Sequence, residues 1–343
     1  MKANIIKKVQ ILLIISFFTF MVSCNKGCGG DKLDVNVKDV EVQAPLLRFD
    51  QDMYRCKTAE DIKNLKAKYP VFYDDYVQQM RRFVPTQSDP LCTAQMLEFI
   101  GSHEIYDTTQ FIFNDTKFIQ DGLTDAMRHF KYHFKDDSLP KYIAFVSTFD
   151  YQNVAGQDYV GIGLDMYFGK DFLYYTDSRL EFAQYFIDKL DRAYLVRNAV
   201  RAFIEQHFDV VPSSVFIEKA VQQGKMYYMM DALCPEMPDT IKIQYSNEKL
   251  IWMKSVEKEM WIDLVNRKVL FSKNAFENEK YFTDGPFTNA PDVSRDSPPR
   301  VGEWLGWQIV KKYMEAHSNV TLSELMNEKD LMKIYKESGY RPK

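Results

Sequence analysis

His129 and His133 stand one helical turn apart in HFKYH, residues 129–133. Two imidazoles at i and i+4 share a helix face and can hold one metal ion between them. The segment lacks the glutamate of H-E-x-x-H, which would act as general base, and Arg128, Lys131 and Lys135 flank it with charges that repel a cation. A solvated basic helix face is the expected reading. In SHEIYD, His103 and Glu104 are followed by Asp107 rather than by a second histidine, and a helix end beside Gly101 accounts for them. His207 and His317 stand alone. No G-x-S-x-G, P-loop or dinucleotide-binding motif occurs, and the GIG at 161–163 falls inside a strand-like run, where it cannot cradle a phosphate at a helix start. Without a nucleophile–base pair, the expectation is no catalytic residue, no metal and no cofactor, hence not an enzyme.

The compartment is legible at the N-terminus. Lys2, Lys7 and Lys8 precede an apolar run from Val9 to Val22, which Ser23 and Cys24 close. The run is short for a transmembrane helix and has the layout of a secretory signal peptide. A cysteine at its end resembles the bacterial lipobox, which implies cleavage after residue 23 and lipidation of Cys24. Several acyl chains on one residue anchor a protein stably without spanning the bilayer. Asn25 follows the cysteine where an aspartate would resemble an inner-membrane retention signal, so the outer membrane is expected, and the lack of an acidic run after Cys24 favours its periplasmic face. Loss of residues 1–23 removes three lysines and moves the formal charge from −4 to about −7. That charge excludes nucleic acid as a partner and a polybasic grip on anionic lipid. Cys28, Cys56, Cys92 and Cys234 include no C-x-x-C pair, so structural zinc is not expected, whereas an oxidising compartment permits one or two disulfides.

The elements that would position any site come next. Residues 24–44 are polar and glycine-containing and read as the lipidated end and a flexible tether. Residues 45–343 contain no linker or repeat and read as a single domain. Helices are expected over 61–69, 71–83, 90–102 and 122–134, then two strand-like runs, 141–149 and 158–169, separated by the turn-rich DYQNVAGQ. Further helices follow near 179–190, 196–208, 213–231, 246–267 and 301–316, with two short ones at the end. The fold class is α+β, predominantly helical, with a small sheet ahead of a helical bundle.

Strands followed by two long helices resemble the layout of zincin-type metallopeptidases of the gluzincin kind. The resemblance implies H-E-x-x-H on the helix after the strands and a glutamate followed by glycine on the next. Here the first helix offers Arg197, Asn198 and Arg201, and the second, in QGKMYY, offers Gln223. Arginines and an amide cannot replace two imidazoles and a carboxylate around zinc, so the resemblance implies a degenerate pseudoenzyme site. Arg197, Arg201, Gln223, Lys225, Arg300 and Trp304 are the residues expected at the remaining cleft, with Lys225 in reach of Glu257 or Glu259. Arg300 is the leading candidate to bind an anion through its planar fork.

A second resemblance spans nearly the whole mature chain. It rests on Cys24 and its signal, RFDQDMY at 48–54, GIGLDMYFGKDF at 161–172, GKMYYMMDALCP at 224–235, WMKSVEKEMW at 252–261, GPFT at 285–288, SPPRVGEWLGWQIVKKYM at 297–314 and the closing SGYRPK. Together these resemble the gliding-motility lipoprotein GldB family of Bacteroidetes. The resemblance implies a lipid-anchored envelope protein, a non-catalytic interaction or scaffolding component of motility- or secretion-associated machinery with envelope proteins as partners. An active periplasmic hydrolase or metal enzyme with an unrecognised site, and a glycan-binding lipoprotein, are the alternatives. WMKSVEKEMW reads as a packed amphipathic helix with Glu257 and Glu259 solvated. In the 297–314 segment, Pro298 and Pro299 set the entry of a helix. Gly302 and Gly306, four apart, are expected to admit another backbone, and Trp304 and Trp307 to wedge into the bundle.

Overall fold

The computed structural model describes residues 33–80, 91, 94–95, 97–98 and 104–342. The chain divides into residues 1–36 and a unit from Val37 to the C-terminus that carries every element named below. Lipidation at Cys24, His103, Cys28 and Cys92 lie outside the described residues. In chain order the elements are β1 (Leu46–Arg48), α1 (Phe49–Arg55), α2 (Ala59–Lys68), α3 (Pro70–Met80), α4 (Ile105–Ile112), α5 (Lys117–His133), β2 (Lys141–Phe145), β3 (Asn153–Ala155) and β4 (Tyr159–Gly163). There follow α6 (Gln184–Ile187), α7 (Leu195–His207), α8 (Phe216–Leu233), α9 (Asp239–Ile243), α10 (Asn247–Asn266), α11 (Ala275–Glu279), α12 (Val301–Ala316), α13 (Leu322–Asn327) and α14 (Leu331–Ser338). The class is α+β and predominantly helical.

The sheet has the order β1-β2-β4-β3, with β1, β2 and β4 parallel and β3 antiparallel at one edge. Both central strands are buried along nearly their whole length, so their apolar runs are continuous rather than alternating. Successive side chains still point to opposite faces. Tyr142 meets α5, its hydroxyl 3.5 Å from Met127 Sδ, while Phe145 meets α3, its ring 5.5 Å from that of Phe72. The sheet is thus a middle layer, and α7 leans on its β3–β4 side.

The bundle is built on α8, which is buried on almost all sides, as a helix at the centre of a large core must be. Its main partner is α12. The two approach so closely that a Cβ on Gly306 would overlap the carbonyl oxygen of Ala220, and one on Gly224 would overlap the carbonyl of Gly306. Gly306 therefore admits a backbone, as expected, whereas Gly302 faces the ring of Phe282. Trp304 and Trp307 are buried beside this crossing with their rings edge to face at 5.7 Å.

Several expectations are corrected. The helix read over 179–190 is a single turn, Gln184–Ile187, between irregular segments. Two three-residue strands, β1 and β3, and the helices α1, α4, α9 and α11 lie outside the expected elements; β3 falls within the stretch read as a loop. The strand read over 158–169 stops at Gly163, where the chain enters a 3₁₀ turn, Leu164–Tyr167. The tether is shorter than its composition suggests, because Val37, Val42 and Ala44 are buried and the Ala44 N–H donates to Thr124 Oγ1 at 3.3 Å. Cys56 and Cys234 are buried free thiols.

The helix crossing generates a stability test. Gly306→Ala drives a methyl group into the Ala220 carbonyl and is expected to cost about 3 kcal/mol or more. The exposed change Lys312→Ala on the same helix is expected to stay within about 0.5 kcal/mol. Urea unfolding of both variants reads the difference, and a wild-type midpoint for Gly306→Ala would contradict the crossing.

Candidate functional site

On α7, the face bearing Leu195, Ala199, Val200, Phe203 and Ile204 is buried in the core. Arg197, Asn198, Arg201 and Glu205 follow one another at spacings of one, three and four, and line a cleft of about 500 Å³. Tyr227 of α8 and Arg300 and Glu303 at the start of α12 line it from across the bundle, and Asp150 and Asn153 from the sheet side. Arg197, Arg201 and Arg300 are all buried. Buried guanidinium groups are costly unless their donors are matched, so the fate of each nitrogen matters.

Arg300 is held by the protein through both terminal nitrogens, while its buried Nε makes no hydrogen bond. It sits in the left-handed region at φ 57°, an uncommon conformation for a residue with a Cβ, at the N-cap of α12. Its Nη2 donates to the Ile243 carbonyl at 2.6 Å, and its Nη1 to Glu303 Oε2 at 3.2 Å and to the Tyr227 hydroxyl oxygen at 3.3 Å. Its Nε lies 3.2 Å from Asp284 Oδ1. Burial opposes its charge, but Tyr227, Glu303 and Asp284 outweigh burial and hold it above the ordinary arginine value. Tyr227 donates to Glu303 Oε2 at 2.6 Å, and burial, then Glu303, pushes its phenol up, so it remains a donor.

Arg201 is less completely matched. Its Nε donates to Glu205 Oε1 at 2.5 Å, its Nη2 to Gln223 Oε1 at 2.6 Å, and its guanidinium lies 5.0 Å from the centre of the Tyr227 ring. Its Nη1 is buried with no hydrogen-bond partner. Arg197 donates from Nε to the Lys242 carbonyl at 2.8 Å and from Nη1 to Asn198 Oδ1 at 3.0 Å. Burial pulls Arg197 below the ordinary arginine value, and the neighbouring charges of Arg201 and Arg300 pull the same way against Tyr227.

One wall is shaped by a residue the sequence reading passed over. Asp165 is fully buried and accepts from the Ser147 N–H at 2.7 Å, the Ser147 hydroxyl at 3.0 Å and the Phe149 N–H at 2.6 Å. Burial pushes its carboxyl up to about 6, against the opposing pull of those donors. It pins a turn in which Thr148 and Phe149 both have left-handed φ, at 60° and 65°, and so sets Asp150 at the cleft. An aspartate inside the apolar run GIGLDMYFG was the available signal.

Three of the six expected cleft residues, Gln223, Lys225 and Trp304, do not line it. Lys225 is fully buried, and its Nζ donates to the carbonyls of Met326 at 3.1 Å and Glu328 at 2.9 Å, not to Glu257 or Glu259. It lies about 200° around α8 from Gln223, which shares its face with Tyr227 instead. Trp304 points away from the cleft and donates from Nε1 to Glu257 Oε2 at 2.8 Å. Glu257 also accepts from the Tyr340 hydroxyl at 2.7 Å, so it ties α10 to α12 and the C-terminus rather than facing solvent. Gln223 stands behind Arg201.

The described histidines lie against groups of the protein. His129 is buried, with Nδ1 3.0 Å from the Asp125 carbonyl oxygen, so the basic face is not simply solvated. Lys131 caps the end of α5 by donating to the carbonyls of Lys135 and Asp137. His207 is 2.8 Å from Asp137 Oδ2, and Glu104 begins a helix rather than ending one. No group of three or more potential metal ligands is assembled among the described residues. Burial, then His129, lowers His133 from 6.5 to about 4. The fold favours its neutral form, so its contribution to stability is present above pH 6.5 and is lost as pH falls toward about 4. Chemical unfolding is expected to show His133→Leu losing less stability than wild type across that window; equal losses would contradict this.

The cleft is lined chiefly by guanidinium, amide and carboxylate side chains. No helix among the described residues is long and apolar enough to cross a membrane. No curated protein and no solved structure matches the chain. The family model described as gliding motility protein GldB matches residues 30–342. Through that family the protein is a lipid-anchored envelope protein. With a match that spans almost all of the domain, the chain belongs to the gliding motility protein GldB family.

Proposed function

We propose that the chain is a non-catalytic interaction or scaffolding component of motility- and secretion-associated envelope machinery. In this reading Cys24 holds it by lipid to the outer membrane, facing the periplasm, and envelope proteins are its partners. The scaffold is that of a zincin whose metal site has been replaced. The observation that carries the reading is the hydrogen bond of 2.6 Å from Arg201 Nη2 to Gln223 Oε1, with Arg197 one turn away on the same helix. In this reading these positions stand in for a gluzincin's two histidines and its third ligand. A guanidinium has no lone pair available at neutral pH and cannot ligate zinc, and the hydrogen bond occupies the amide oxygen that would otherwise be free. Asn198, at the position of the general base, cannot accept a proton at that pH.

Metal analysis of the full-length lipoprotein, purified in detergent and incubated with zinc, tests the reading. The expected result is far less than one zinc per chain and a thermal midpoint unmoved by a chelator. Stoichiometric zinc, or peptide hydrolysis abolished by the chelator, would contradict it. Crosslinking in the intact envelope is expected to capture protein partners.

A further inference from the structure

We infer that the arginine cleft binds a ligand through a carboxylate group, with Arg201 Nη1 and the free Nη2 of Arg197 as its donors. The inference rests on the reading of this cleft as a binding site rather than a zinc site. Arg201 is more than nine-tenths buried, yet its Nη1 has no partner in the protein. An unmatched buried donor on a charged group is costly, and an incoming acceptor would recover that cost. Arg197 is buried with two of its three nitrogens on neutral oxygens and no carboxylate within ion-pair distance among the described residues. Two guanidinium groups one turn apart on one helix therefore line the same cleft, each with a donor that the protein leaves unmatched.

The walls narrow the ligand class. Arg300 spends Nη1 and Nη2 on Glu303, Tyr227 and Ile243 and has the Asp284 carboxylate 3.2 Å from its Nε, so its charge is already paired and it acts as a brace rather than as a ligand donor. Asp150, Glu205 and Glu303 also line the cleft and disfavour a second negative charge, which makes a singly charged carboxylate a better match than a phosphate dianion. A planar carboxylate also fits the guanidinium fork. Met166 and Phe186 supply an apolar wall, and a volume of about 500 Å³ suits a small molecule or the end of a peptide. A free acid and a peptide C-terminus share this chemistry.

Calorimetric titration of the full-length lipoprotein with N-acetyl-leucine, N-acetyl-Ala-Ala-Leu, the amide of each, and inorganic phosphate tests the site. Saturable binding of the acids is expected, with binding of the amides and of phosphate weaker by about tenfold or more. Tighter binding of the tripeptide acid would point to a peptide terminus, and equal binding to a free acid; both support the site. Arg201→Gln and Arg197→Gln, each checked for a wild-type circular dichroism spectrum, are expected to weaken acid binding about 10- to 100-fold. If Arg201→Gln fails to fold, Arg197→Gln carries the test. No binding of either acid, equal binding of acid and amide, a preference for phosphate, or unchanged affinity in the folded variants would overturn the inference. Failure here leaves a zinc-free protein zinc-free, whereas stoichiometric zinc would overturn the earlier reading whatever the titration gives.

Discussion

The close crossing of α8 and α12 through Gly224 and Gly306 is the constraint on which the rest of the domain depends. With side chains at those two positions the helix backbones could not touch. Because they do, Tyr227 and Gln223 on α8 and Arg300 and Glu303 at the start of α12 come within hydrogen-bonding distance of one another or of Arg201 on α7. Trp307, stacked on Tyr227 with ring centres 5.2 Å apart and donating from Nε1 to Asp231 at 2.7 Å, seals the same crossing from the far side. The cleft is therefore a consequence of helix packing as much as of the residues that line it.

The crossing places an unusual amount of charge in a low-dielectric interior. Arg197, Arg201, Arg300, Lys225 and Lys242 are all buried. Most of them are matched: Lys242 pairs with Asp231 at 2.9 Å, Lys225 reaches two carbonyl oxygens, and Arg300 is held from three directions. Replacing such groups by apolar ones would often be neutral or stabilising for the fold alone, so stability does not explain their presence. Their incomplete matching falls on residues that line the cleft, at Arg201 Nη1 and Arg300 Nε. That asymmetry separates a packed polar core from a place where something from outside completes the pattern.

Much of this was legible in the sequence, and the gaps have physical causes. The helices α5 and α7 follow from apolar periodicity over several turns, α8, α10 and α12 from long stretches without proline, and the buried strands β2 and β4 from continuous apolar runs. The strands β1 and β3, three residues each, carry no periodicity that could separate them from loop, and β3 exists because β4 offers it an edge. Arg197, Arg201 and Gln223 could be singled out because helical spacing and a resemblance to metallopeptidases located them. Lys225 and Trp304 were misplaced because a one- or two-residue offset on a helix rotates a side chain by about 100° or 200°, which only the packed partner reveals. Asp165 was missed because its value lies in the turn it pins, a contact sixteen to eighteen residues away along the chain.

The most direct test of the account is a crystal structure of the protein grown with both zinc and N-acetyl-leucine. The account predicts a carboxylate oxygen within hydrogen-bonding distance of Arg201 Nη1, with Gln223 still bonded to Arg201 and no anomalous zinc signal in the cleft. A zinc ion between α7 and α8, or a cleft in which Arg201 has turned away and the acid is bound elsewhere, would contradict it.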